Sequence, residues 1–225
     1  MRIRARSGLT GAALGDEGDH RANALILERL VAERPGDSVL SEESFDDQAR
    51  CQVSRVWIVD PLDGTREYRE GRDDWAVHVA LAVDCVATAG AVALPAQGRV
   101  LASDDGAIPS PLPTRPRMVV SRSRPPAVAT AVARALDAEV IPMGSAGAKA
   151  MAVVAGEADI YLHEGGQFEW DNCAPAAVAL AHGYHASRID GAPLVYNCPD
   201  PRLPDLLICH PALAARVLEL VRAHG

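Results

Sequence analysis

The chain has 225 residues, of which 48% are hydrophobic and 23% charged, and its formal net charge at pH 7 is −8. These values exclude an intrinsically disordered protein, and the acidic balance argues against a nucleic-acid polymer as partner. No apolar run approaches the ~18 residues of a membrane span, so no membrane attachment is predicted. The five cysteines form no Cys-x-x-Cys pair, which predicts reduced thiols and a cytoplasmic location.

The first half of the chain is predicted to form one helix and then a group of strands. Apolar residues recur at helical spacing over 19–33, and Pro35-Gly36 ends the helix. Residues before Gly18 are expected to form a short leader without a helix. Strands are expected at 38–40, 56–59, 75–83, 89–94 and 100–102.

A proline-rich connector separates two predicted subdomains, an N-terminal α+β unit at 1–115 and a C-terminal α/β unit at 116–225. Four prolines fall between 109 and 116. The second unit is expected to alternate strands (118–120, 139–141, 159–162, 206–208) with helices (126–136, 146–155, 171–181, 211–223). Together, the strand meander and the alternation favour a layered α/β fold with mixed sheets over a plain doubly wound sheet.

The segment 60–65, Asp-Pro-Leu-Asp-Gly-Thr, directly follows the buried strand at 56–59. Because proline cannot continue a ladder of hydrogen bonds, the chain is expected to turn there, with Asp60 and Asp63 at the same end of the sheet. Their carboxylates and the Leu62 carbonyl are the oxygen ligands that a hard cation prefers. An ordinary Asp-Gly turn is the alternative interpretation.

Gly64 and Thr65 complete this motif. A glycine lets the backbone approach a phosphate closely, and the hydroxyl and amide groups at these positions can donate hydrogen bonds to it. The neighbouring residues therefore predict a phosphate beside a metal ion.

Two further acidic segments lie at the ends of predicted elements: Glu42-Glu43 after the strand at 38–40, and Asp171 at the start of a helix. Each alone is typical of a solvated loop or a helix N-cap. If Glu42, Asp60, Asp63 and Asp171 meet, however, their charges repel unless two or three divalent cations neutralise them. Hard oxygen ligands of this kind favour Mg²⁺.

These motifs resemble the Mg²⁺-dependent, lithium-sensitive phosphatases of the inositol monophosphatase superfamily. The matching segments are Ser-Glu-Glu-Ser at 41–44, the segment 57–65, and Trp-Asp-Asn-Cys-Ala at 170–174. The resemblance implies an αβαβα sandwich, a small phosphorylated substrate and homodimerisation, which is common in the family. It implies metal binding by Glu42, Asp60, Leu62, Asp63 and Asp171, catalytic roles for Glu42, Asp63 and Thr65, and a third ion near Glu42 and Glu43 that involves Asp19.

Within the superfamily, the segment 64–68 is similar to that of the actinobacterial CysQ-type 3′(2′),5′-bisphosphate nucleotidases, with Ser121, Arg122 and Lys149 matching their nucleotide pocket. This implies removal of the 3′-phosphate of adenosine 3′,5′-bisphosphate, or of its sulfate-bearing analogue, in sulfur assimilation. Arg124 stands where these enzymes carry a histidine. The resemblance assigns substrate binding to Gly64, Thr65, Ser121, Arg122, Lys149, Glu164 and Asp171.

Other functions stay open at this point. Glu164 matches an inositol-contacting glutamate of the family, which favours inositol 1-phosphate, and fructose 1,6-bisphosphate is a further candidate substrate. An alternative of another class is a phosphate- or nucleotide-binding module with weak catalysis. The seven histidines show no metal-ligand spacing, so they are interpreted as structural or surface residues.

Overall fold

The computed structural model describes residues 8–106 and 108–224. It contains six α-helices and ten strands within these ranges. In chain order they are α1 (Gly11–Glu33), β1 (Ser38–Ser41), a 3₁₀ helix (Ala49–Gln52), β2 (Arg55–Asp63), α2 (Thr65–Arg69), β3 (Ala76–Val83), β4 (Val86–Leu94), β5 (Arg99–Ala102), β6 (Arg117–Ser121), α3 (Ala127–Ala135), β7 (Glu139–Met143), α4 (Ala146–Val154), β8 (Ile160–Phe168), α5 (Glu169–Ala181), β9 (His185–Ser187), β10 (Arg202–Cys209) and α6 (Pro211–His224).

The strands form two five-stranded sheets, ordered β1-β2-β3-β4-β5 and β7-β6-β8-β10-β9. In the first sheet β1 runs parallel to β2 and the other pairs are antiparallel. In the second sheet β6 runs parallel to both neighbours, while β10 is antiparallel to β8 and β9. Both sheets are therefore mixed, which confirms that prediction.

Helices α4 and α5 lie between the two sheets. Every residue of α4 is buried, and α5 packs against β3 and β4 on one side and β10 on the other. A helix that is covered all round favours small and apolar residues, and apart from Lys149 the residues of 146–154 are of this kind. Gly90 permits the close approach of α5, because a Cβ there would lie 2.9 Å from the Ala174 carbonyl oxygen.

The second sheet has helices on both faces. Val119 of β6 belongs to the core between the sheets, whereas its neighbours Met118 and Val120 pack with Val132 of α3 and Val217 of α6. This alternation is the strand period of two residues. With α1 and α2 against the far side of the first sheet, the layers run α-β-α-β-α, which confirms the expected sandwich.

The expectation of a leader without a helix before Gly18 is wrong, because α1 already begins at Gly11. Glycine is a poor helix former, so the composition of this segment argued against a helix. The glycines instead allow close packing: a Cβ on Gly15 would lie 2.6 Å from the Thr65 methyl group, and one on Gly18 would lie 3.0 Å from the Tyr68 ring. Tertiary contact with α2 and β2 therefore overrides local propensity.

The last strand of the first sheet ends at Ala102 and the first strand of the second sheet begins at Arg117, so the connector lies between the two sheets along the chain. One hydrophobic cluster nevertheless takes residues from both halves of the chain, for example Val92 and Val178. The division into subdomains at 115 and 116 stays a prediction. Among the described helices, none combines the length and the apolar character that crossing a bilayer requires.

Candidate active site

The turn at the end of β2 is shaped by a bulge. Asp60 pairs with His78 and Asp63 with Ala76, so the pairing register shifts between Asp60 and Asp63. Such an irregularity bends a strand and redirects its side chains. Gly64 follows with a φ of 88°, a left-handed conformation that glycine adopts without strain. It is the N-cap residue of the short helix α2.

Three carboxylates converge at this turn. Oxygen atoms of Asp60, Asp63 and Asp171 all lie within 4.8 Å of one another. Asp171 comes from the start of α5, where its Oδ2 accepts a hydrogen bond of 2.6 Å from the Phe168 amide. The start of α5 is anchored further by buried Glu169, which accepts hydrogen bonds from the amides of residues 197 and 198. Residues more than a hundred positions apart thus form one cluster.

Glu42 lies at the edge of this cluster. Its amide donates to the Val59 carbonyl at 3.3 Å, which continues the parallel pairing of β1 with β2. The residue as a whole is exposed, but its carboxyl group is near enough to Asp60 for that side chain to affect its pKa. It does not belong to the close group of three oxygens.

The electrostatics of the cluster are unfavourable without a cation. Burial, followed by the negative charges of its neighbours, raises the pKa of Asp60 well above its ordinary value. The same causes raise the pKa of Glu42 and of Asp171 to about 7. A divalent cation would remove this repulsion, and the donor set, carboxylates with a backbone carbonyl nearby, fits a hard ion such as Mg²⁺.

Asp63 behaves differently from the other carboxylates. Burial alone would raise its pKa, but the contact with His78 and the hydrogen bond from Ser145 outweigh burial and lower the pKa to about 2. Its carboxylate also accepts hydrogen bonds from the amides of Ala146 at 3.1 Å and Gly147 at 2.6 Å, at the start of α4. An N-terminal helix end is a favourable place for a negative charge.

A polar contact between Asp19 and Thr65 links α1 to the turn. The Thr65 hydroxyl lies 3.2 Å from Asp19 Oδ2 and 3.1 Å from the Leu62 carbonyl oxygen. Asp19 is buried, its Oδ1 has no hydrogen-bond partner in the described structure, and burial together with Glu43 raises its pKa to about 7. The resemblance placed Asp19 near the site, at the start of the predicted helix, and the structure shows its contact with Thr65.

A cavity of about 500 Å³ opens beside the turn. Four of its lining residues are cationic, and the complete lining is Arg66, Glu67, Ser121, Arg122, Ser123, Arg124, Met143, Gly144, Ser145 and Lys149. The predicted residues Ser121, Arg122 and Lys149 are therefore brought together. The exposed residue Glu164, on β8, is not among the lining residues, and its role in substrate binding stays a prediction.

Two basic side chains of this cavity, Arg122 and Lys149, are fixed by hydrogen bonds to other groups of the protein. Arg122 donates to Glu67 at 2.7 Å and to Glu70 at 2.6 Å. Lys149 is buried and its ammonium group donates to the carbonyls of Gly144, at 3.0 Å, and Ser145. Burial lowers its pKa in spite of the nearby charge of Asp63. The sequence singled out Glu67 only as part of the nucleotidase-like segment 64–68, and its pairing with Arg122 is visible only in the fold.

Comparisons with known proteins identify the family. The model of the inositol monophosphatase family matches residues 7–225. A 3′-phosphoadenosine 5′-phosphate phosphatase of Mycobacterium tuberculosis is 53% identical over 229 aligned positions, covering 97% of this chain and 86% of that protein. The 3′(2′),5′-bisphosphate nucleotidase CysQ of Escherichia coli is 31% identical over 193 positions, covering 80% of this chain and 78% of that protein.

A solved structure has the same fold. Inositol monophosphatase-II from Staphylococcus aureus superposes with a TM-score of 0.81 over 99% of this chain and 91% of that one. At 18% identity this likeness concerns the fold. Taken with the match along nearly the whole sequence, it leads to one conclusion: the chain is a member of the inositol monophosphatase family.

Proposed function

We propose that this protein is a Mg²⁺-dependent phosphatase that removes the 3′-phosphate of adenosine 3′,5′-bisphosphate. The observation that carries the proposal is the juxtaposition of the Asp60, Asp63 and Asp171 cluster with a cavity rich in basic residues. A substrate with two phosphates could present one to each. The 53% identity to the M. tuberculosis phosphatase supports this substrate class.

The acidic cluster would hold the metal. Asp60, Asp63 and Asp171 would provide carboxylate ligands, with Glu42 and the Leu62 carbonyl beside them. Bound Mg²⁺ lowers the pKa of a water molecule and stabilises the charge on the leaving oxygen. Two or three such ions are expected from the number of carboxylates, and inhibition by Li⁺ is expected from the family.

The turn itself would bind the scissile phosphate. The amides of Gly64 and Thr65 stand at the start of α2, where no helical carbonyl can accept their hydrogen bonds. The Thr65 hydroxyl, held between Asp19 and Leu62, would with Glu42 orient the attacking water and take up its proton. Asp63 would act mainly as a fixed negative charge, because its donors keep it ionised.

The basic cavity would take the second phosphate and the nucleoside. Arg124 is exposed and lines this cavity, and the ion pairs found among the described residues do not involve it. Its guanidinium group is thus available to a phosphate, whereas Arg122 is already paired with two glutamates. Ser121 and Lys149 would complete the pocket.

Inositol 1-phosphate and fructose 1,6-bisphosphate are the alternative substrates. The case for inositol 1-phosphate rests on Glu164, which is not among the residues that line the cavity. The geometry of the cavity therefore favours the nucleotide. A binding module with weak catalysis is less well supported, because three of the predicted acidic ligands converge and Glu42 lies at their edge. The sulfate-bearing nucleotide, a homodimer and the cytoplasmic location stay predictions from the sequence.

A phosphate-release panel tests the proposal. The full chain would be assayed on adenosine 3′,5′-bisphosphate, inositol 1-phosphate and fructose 1,6-bisphosphate, each with Mg²⁺, with EDTA, and with Mg²⁺ plus Li⁺. We expect the highest kcat/KM on the nucleotide and loss of release in EDTA. Release that does not need Mg²⁺, or a higher kcat/KM on inositol 1-phosphate, would contradict it.

A further inference from the structure

A buried histidine next to the acidic cluster has no place in the proposed mechanism. His78 lies on β3 with 0% of its surface exposed. Its Nδ1 donates a hydrogen bond of 2.9 Å to the Trp170 carbonyl. Its Nε2 lies 3.2 Å from Asp63 Oδ2, which is within ion-pair distance but outside the stricter geometry of a hydrogen bond.

His78 contacts each of the three segments that carry the converging carboxylates. Its backbone is the cross-strand partner of Asp60, its Nε2 faces Asp63, and its Nδ1 holds the carbonyl of Trp170, the residue before Asp171. The ring therefore spans the gap between the first sheet and the start of α5. No other imidazole of the described chain has contacts of this kind with the cluster.

The surrounding structure leaves room for this ring. A Cβ on Gly147 would lie 2.0 Å from His78 Nε2, so any side chain at 147 would displace the imidazole. The Gly147 amide donates to Asp63 Oδ2, the same oxygen that faces the ring. A glycine at this point thus allows helix α4 and His78 to contact a single carboxylate oxygen together.

We infer that His78 is a positioning residue, whose ring holds Asp63 and the Trp170–Asp171 segment in the orientation that binds a divalent cation. The role rests on the proposed function, because it takes Asp63 and Asp171 as metal-binding side chains. Side chains that orient metal ligands through hydrogen bonds typically contribute about 10–100-fold to metal affinity or activity. The sequence interpretation of the histidines as structural or surface residues did not include this role.

Two variants of similar size separate the contacts of the ring. In His78→Gln the terminal amide nitrogen can reach the place of Nε2 and donate to Asp63. In His78→Asn the amide nitrogen takes the place of Nδ1, so the contact with Trp170 is kept and the contact with Asp63 is lost. Mg²⁺ binding to the full chain would be measured by calorimetry, along with kcat and KM.

We expect His78→Asn to weaken Mg²⁺ binding by about 10-fold or more, to raise the Mg²⁺ concentration for half-maximal phosphate release, and to leave substrate KM at saturating Mg²⁺ little changed. His78→Gln keeps the contact with Asp63 but loses that with Trp170, and we expect it to weaken Mg²⁺ binding less than His78→Asn, because Trp170 acts only through the neighbouring Asp171. Wild-type Mg²⁺ affinity in His78→Asn would overturn the inference.

A second pair of variants tests whether the ring serves only to fill space. His78→Ala leaves a cavity, and adding Gly147→Ala places a methyl group in it. We expect the double variant to regain thermal stability relative to His78→Ala without regaining Mg²⁺ affinity. Recovery of both would overturn the inference. Absence of Mg²⁺-dependent release in the wild type would instead overturn the proposed function.

Discussion

The acidic cluster and the basic cavity lie side by side but differ in how well the protein neutralises their charges. In the cluster, Asp60 and Asp171 have raised pKa values because burial and neighbouring carboxylates disfavour their ionised forms. In the cavity, Arg122 and Lys149 are already paired with glutamates or carbonyls. A cation from solution would therefore relieve the repulsion in the cluster, whereas Arg122 and Lys149 are already oriented by the protein.

Asp63 belongs to both regions. It converges with Asp60 and Asp171, yet Ser145 and the amides of α4, which border the cavity, donate to it. Its charge is therefore stabilised by the protein even without a metal ion. Substitutions of Asp60 and Asp63 should consequently have the same effect on activity and opposite effects on stability.

The largest effect is expected for Asp60→Asn. Loss of this proposed metal-binding carboxylate should lower kcat by at least about 100-fold. In EDTA at pH 8 the same change should raise Tm, because it removes a buried charge whose ionised form is unfavourable. Phosphate release and thermal unfolding measure the two quantities.

Asp63→Asn is the matched variant for this measurement. It should lose activity to a similar extent but lower Tm, since an amide is a poorer acceptor for the donors of α4. If both variants changed Tm in the same direction, the inference that the protein stabilises the charge of Asp63 but not that of Asp60 would be wrong.

Lys149→Met should have the next largest effect. Methionine keeps the apolar stem in its buried place but removes the charge facing the cavity. We expect kcat/KM on adenosine 3′,5′-bisphosphate to fall by about 10-fold and kcat/KM on inositol 1-phosphate to fall less. Steady-state kinetics on both substrates test this. Equal losses would show that Lys149 supports the loop at 144–145 rather than selecting a nucleotide.

The metal-free protein should lose stability as the pH rises. In the folded state the pKa values of Asp19, Glu42 and Asp171 are about 7, against ordinary values of 3.8 for Asp and 4.5 for Glu. Between about pH 4 and 7 the folded state therefore binds more protons than the unfolded state, so the free energy of unfolding falls as the pH increases.

In EDTA we expect Tm to fall by at least about 2 °C per pH unit in this window. Saturating Mg²⁺ should flatten the profile, because a bound cation removes the preference for protonated carboxyls. Differential scanning calorimetry between pH 5 and 8 provides the measurement. A Tm that is independent of pH without metal would mean that the cluster is not under electrostatic stress.

The smallest effect is expected where charges are solvated. Arg216 and Glu219 form an ion pair of 2.7 Å on α6, and more than half of each side chain is exposed. Glu219→Gln should change Tm by less than about 1 °C and leave kcat unaltered. It serves as the surface control for the Asp60 and Asp63 variants.

Most of the fold followed from local patterns. Strand β2 was recognisable from its β-branched residues, and α4 from its small apolar ones. Helix α1 was predicted from residue 19 but not from Gly11, because its glycines indicate a helix only when the surface they pack against is known. The expectation that Pro61 ends β2 was only partly right: β2 extends to Asp63, with a bulge after Asp60.

The sequence by itself determined the chemistry of the site: the carboxylates after β1, near the end of β2 and at the start of α5 are motif residues that can be identified without coordinates. Only the tertiary structure decided which of them are electrostatically satisfied. It placed Asp63 against the start of α4 and Glu67 against Arg122. It also placed His78 between Asp63 and the start of α5. These pairings join positions far apart in the chain, and their energies depend on burial and distance, which no local pattern of residues encodes.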